Sequence, residues 1–173
     1  MKINNIRFLI IFIIIFTLGY TQELKSPNWV DMIECKVSQE EYLNFSFDTL
    51  QNENSKKKFG IEKIKQDNPF IEEYKLPKYI TIYNYTTNRI AFTSAGIMAI
   101  IDEKNPKQLA KKLNMNIELD SGDKILATKI ISQSEPKYFE NFKSLELSTI
   151  TSHPNKTLVG CSYSTAMKIE DDK

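Results

Sequence analysis

The stretch from Tyr79 to Ile101 constrains the fold more than any other part of the chain. From Tyr79 to Tyr85 the residues alternate, with Ile80 and Ile82 on one face and Tyr79, Thr81, Tyr83 and Tyr85 on the other. That is the two-residue period of a half-buried strand. Thr86, Thr87 and Asn88 supply a turn, and Arg89 to Ile101 returns as a long apolar partner rich in Ile, Phe and Thr, residues that suit a pleated surface. A hairpin alone buries too little, so the rest of the chain must add strands beside it and a layer across it.

The flanking segments provide both. Ser38 with Glu41 three positions on is a capping box, and Leu43, Phe47 and Leu50 follow at helical spacing, which predicts a helix over Gln39–Leu50. Asn105 and Pro106 begin another helix, whose Leu109, Ala110 and Leu113 form an apolar stripe while Lys107, Lys111 and Lys112 face water. This is the principal helix expected to cross the sheet. Trp29–Val37 and Lys124–Ser134 read as strands, and Ser144–Ser152 and Thr157–Thr165 as a second hairpin turning at His153 to Lys156. Residues 51–66 read as a lysine-rich loop or weak helix, Pro69–Tyr74 as a short helix capped by Asn68, Leu76-Pro77 as a break, and Pro136 to Phe142 as an aromatic helical turn. Hairpins in place of alternating βαβ units predict an α+β fold: one compact domain, mainly antiparallel sheet, with no internal repeat.

The first residues give an address. Lys2 and Arg7 precede the unbroken apolar run Phe8–Phe16, and Thr17 to Gln22 is small or polar, the three-part form of a secretory signal peptide. The run is shorter than the roughly 20 residues a membrane-spanning helix needs. Residues 1–21 are therefore read as a signal peptide cleaved after Gly19 or Thr21. Residues 22–173 are read as a single exported domain, periplasmic or extracellular, with no stable membrane anchor. Export decides how Cys35 and Cys161, the only 2 cysteines, are read. In an oxidising compartment an even pair is one disulfide, here tying the start of the domain to its end.

Charge excludes some partners. Lysine and arginine total 23 against 22 acidic residues, and Arg7 and Arg89 are the only arginines, so nothing points to nucleic acid or an anionic membrane. Catalysis finds little support. His153, the single histidine, stands beside Pro154 in a predicted turn and reads as a surface residue, which leaves Ser152 and Ser162 without a marked base. Asp120 and Asp123 flank a tight turn, and Asp102-Glu103 precedes a helix start, where acidic residues suit the dipole. No cofactor and no metal is predicted.

A surface remains. Tyr79, Tyr83 and Tyr85 would form a row on the outer face of the hairpin, with Arg89 across the turn as a charged anchor, and tyrosines offer large, rigid contacts with a polar tip. The expectation is a small exported protein-binding domain, an inhibitor or immunity protein that blocks a toxin or enzyme. Two alternatives are a small hydrolase whose site is assembled from distant residues, and a small-molecule or lipid carrier.

Overall fold

In the computed structural model, which describes residues 28–134 and 139–167, eight strands form one open antiparallel sheet. They are β1 (Glu62–Ile64), β2 (Glu72–Ile82), β3 (Tyr85–Phe92), β4 (Gly96–Ile101), β5 (Asn116–Asp120), β6 (Ile125–Ser134), β7 (Phe139–Ser148) and β8 (Thr157–Met167), in the order β1-β2-β3-β4-β8-β7-β6-β5. Among the described residues four helices accompany them: α1 (Trp29–Ile33), α2 (Gln39–Leu50), α3 (Glu53–Phe59) and α4 (Pro106–Lys112). The segment read as a signal peptide, with both expected cleavage positions, lies outside the described residues.

The order of elements occurs twice. A helix is followed by a four-strand meander in α3–β1–β2–β3–β4 and again in α4–β5–β6–β7–β8, and the last strand of each meander pairs with the other at the sheet centre. No sequence repeat marks this, because the common features are backbone features. Gly60 ends α3 and Asn114 follows α4, both left-handed at φ 64° and 55°. The next residues, Ile61 and Met115, are buried and donate their N–H groups back to the carbonyls of Lys56 and Ala110. That is the Schellman closure, and it turns each helix into its first strand.

All four helices lie on one face of the sheet. Ile33, Tyr42, Phe59 and Leu109 from the helices pack with strand residues such as Ile97 and Val159 in the main core. On the opposite face Ala91, Met98, Ile100 and Leu158 form a smaller cluster, on which Ile71 and Ile150 fold from the loops before β2 and after β7. Every residue from Gly96 to Ile101 is therefore buried, which explains the continuous apolar run of β4. Two glycines let β4 and β8 approach each other. A Cβ on Gly160 would lie 2.1 Å from the Ile97 carbonyl oxygen, and one on Gly96 would lie 2.1 Å from that of Cys161.

The Cys35–Cys161 disulfide is present, across a Cα separation of 5.1 Å. Cys35, however, is not on a strand. Asn28 caps α1 by accepting from the Asp31 N–H, so Trp29 starts a helix, and Cys35 follows it with φ 60°. Other boundaries differ from expectation for identifiable reasons. The central hairpin turns at Tyr83-Asn84, both left-handed at φ 50° and 74°, rather than at Thr86 to Asn88. This is a two-residue turn with Ile82 paired to Tyr85. The run Arg89–Ile101 breaks between Phe92 and Gly96 and forms a second hairpin. Leu76-Pro77 does not break the chain: it lies within β2 where the ladder to β3 shifts register between Lys75 and Ile80, a place where proline's missing N–H costs nothing. Asn68 does accept from the Phe70 N–H, but β2 takes over at Glu72 and no helix forms. Residues 51–66 hold α3, capped by Asn52, and β1. Phe139 and Phe142 belong to β7; the earlier part of that expected helical turn lies outside the described residues.

Gln39–Leu50 and the helix starting at Pro106 form as expected, with Ser38 and Asn105 as caps. The longer of the two is α2, with 12 residues to the 7 of α4. Its inner face is also rotated from the expected stripe. Tyr42 stacks on Tyr163 of β8 at 4.3 Å between ring centroids, and Phe45 meets Trp29 edge-on at 5.4 Å. These aromatic contacts set the helix rotation and leave Leu43 and Phe47 pointing outward.

Candidate functional site

Two features of this fold are candidates for a functional site. The first lies on the sheet face opposite the helices. Glu73 of β2 is 1% exposed, and a buried carboxylate needs charge-assisted partners. Arg89, on the neighbouring strand, donates from Nε to Glu73 Oε1, and His153 Nε2 lies 2.9 Å from Glu73 Oε2. Burial pushes the Glu73 carboxyl up, but the Arg89 and His153 hydrogen bonds outweigh it and hold the group below its ordinary range. His153 is itself buried, contrary to its reading as a surface residue, because the loop between β7 and β8 folds over the sheet and brings the imidazole to Glu73. The other ring nitrogen, Nδ1, is 3.0 Å from the hydroxyl of exposed Ser152, and Asn68 Nδ2 donates to that hydroxyl at 3.3 Å.

When the imidazole is neutral, an acceptor-only carboxylate on Nε2 places the ring proton there and leaves Nδ1 as the acceptor for the Ser152 O–H. Glu73 and His153 are 80 positions apart, which is why the arrangement is invisible locally. The available hints were the only arginine after Arg7 and a histidine adjacent to a serine.

The second feature is the outer face of α2. Phe47 is 65% exposed and Leu43 50%. Phe47 borders two open depressions of about 430 and 320 Å³, one lined also by Leu43 and Leu50, the other by Asp48 and the start of α3. The helix carries Glu40, Glu41 and Asp48 and no basic residue.

The expected tyrosine row does not form, since the turn falls between its members. Tyr79 stands on β2, 70% exposed. Tyr83 is a turn residue packed against the main core, and burial pushes its hydroxyl pKa up. Tyr85 opens β3 and donates to Glu103, the hydrogen bond that raises its pKa. Arg89 is committed to Glu73.

Among the described residues no group of three His, Cys, Asp or Glu side chains is placed to hold a metal ion, and Asp120 pairs with Lys107 at 2.8 Å. Leu109 and Ala110 are buried against the sheet, and neither depression is lined by α4. No helix among the described residues is long and apolar enough to cross a membrane. Compared with known proteins, the chain matches no family model, no curated protein and no solved structure.

Proposed function

We propose that the protein is an exported, disulfide-tied domain that binds another protein through the outer face of α2, acting as an inhibitor or immunity protein that occupies its target's working surface. One observation carries this reading: Phe47 and Leu43 occupy the two most apolar outward positions of a helix whose inner face is already filled by Tyr42 and Phe45. An exposed aromatic at the junction of two depressions, rimmed by polar Asn44, Ser46 and Gln51, has the form of an interface anchor. The three carboxylates of α2 select a partner whose apolar contact is flanked by lysine or arginine. Tyr79 is free to join such a contact elsewhere on the surface; Tyr83, Tyr85 and Arg89 serve the fold.

The test is affinity capture from native envelope and culture fractions with the domain starting at Gln22, repeated with Phe47→Ala. A stoichiometric partner retained by the parent and bound at least about 30-fold more weakly by the variant, with an unchanged unfolding midpoint, is the expected result. A partner held equally well by Phe47→Ala, or none at low salt, would remove this function.

A further inference from the structure

We propose that Ser152 is an acylatable nucleophile, and that Ser152, His153 and Glu73 form a site for small carboxylic esters on the sheet face away from α2. The connectivity is that of an activated serine. The exposed Ser152 hydroxyl meets His153 Nδ1 at 3.0 Å, and His153 Nε2 is held at 2.9 Å by Glu73, whose second oxygen is neutralised by Arg89. The base and the acid are buried while the nucleophile faces solvent, so a substrate reaches the serine without unseating the pair that activates it. Relative to the usual triad the ring nitrogens are exchanged: the carboxylate takes Nε2 and the serine Nδ1. The proton path is the same, because one nitrogen donates to a fixed acid and the other accepts from the hydroxyl.

The loop before β2 completes the site. Asn68 has its side-chain oxygen occupied by the Phe70 N–H at 3.0 Å, which turns its amide group toward Ser152 at 3.3 Å. That N–H is positioned to donate to an oxyanion forming beside the serine. Phe70, 82% exposed on the same loop, offers an apolar surface for the acyl chain.

In the acylation step the Ser152 oxygen bonds to the ester carbonyl carbon as its proton passes to His153 Nδ1. The tetrahedral oxyanion collapses, the carbon–oxygen bond to the alcohol breaks, and the alcohol leaves with the proton from His153. Solvent water, deprotonated by the same nitrogen, then attacks the acyl-serine; the acyl–oxygen bond breaks, the proton passes from His153 to the Ser152 oxygen, and the free acid leaves.

The experiment uses p-nitrophenyl acetate on the folded domain, with peptide mass spectrometry to place the acetyl group. Ser152 should acetylate at least about a hundredfold faster than other serines, the size of a general-base effect. The reaction should disappear in Ser152→Ala and slow at least about tenfold in His153→Gln. Because His153→Gln disturbs a buried pair, the parent is also treated in denaturing urea, where selectivity for Ser152 should vanish. Ser152 left unmodified with p-nitrophenol released no faster than by Ser152→Ala, or Ser152 acetylated equally in urea, would overturn the proposal.

Discussion

Reducing the Cys35–Cys161 bond should cost the protein a large fraction of its stability. The bond joins positions 126 apart in sequence. In the chain-entropy treatment, closing a loop of that length removes about 16 cal/mol/K from the unfolded chain, or about 5 kcal/mol at 25 °C, and removing native disulfides costs about 2–5 kcal/mol in practice. Domains hold only about 5–15 kcal/mol in total, so a large fraction is at stake. The assay is urea unfolding followed by the fluorescence of Trp29, which packs against Phe45, with and without reductant. With a slope of about 2 kcal/mol per molar urea, the midpoint should fall by about 1–2.5 M. Burial adds a kinetic signature. Cys35 and Cys161 are 3% and 0% exposed, so reductant must wait for the structure to open, and reduction should speed up in urea well below the midpoint. A midpoint that moves by less than about 0.5 M on reduction would refute the reasoning, because it would mean that the two ends of the chain are already held together when unfolded.

Glu73 has its folded-state pKa depressed below the ordinary 4.5. Its contribution is therefore present above the unfolded value and lost as pH falls through the folded one. Stability should drop on acidification below about pH 4.5, and Glu73→Gln, which costs about 3–5 kcal/mol at neutral pH, should flatten that decline; an unchanged acid limb counts against the Arg89–Glu73–His153 cluster. Gly160→Ala should destabilise by at least about 2 kcal/mol in thermal or urea unfolding, since its Cβ meets the backbone of β4 at 2.1 Å. Gly122→Ala, with φ 81° and open space around it, should cost only about 1 kcal/mol, so equal losses at the two positions would contradict the close β4–β8 approach. Phe47→Ala should weaken partner binding without moving the midpoint, and Ser152→Ala should abolish selective acetylation without unfolding the domain.

Signals that act over a few residues were legible in the chain. Ser38 and Asn105 cap their helices through side chains three positions from the N–H groups they bind, and the strand read over Lys124–Ser134 forms as β6. The cysteine pair was legible for another reason: in a chain read as exported, two cysteines allow one pairing, and that bond is present. Where a local signal was ambiguous, the sequence misled. Trp29 to Val37 alternates like a strand, yet the Asn28 cap and a left-handed Cys35 make it a helix and a turn. The tyrosine row failed because two residues with positive φ, Tyr83 and Asn84, moved the turn and split the row between a strand, a turn and the next strand. Tertiary structure alone decided the rest. The rotation of α2 depends on Tyr42 meeting Tyr163, 121 positions away, and so does the outward aim of Phe47. The Ser152–His153–Glu73 arrangement depends on a loop from one meander closing over strands of the other. Caps and periodicity act within a turn or two of the chain and can be read directly; contacts between distant side chains exist only once strand order and register have been chosen.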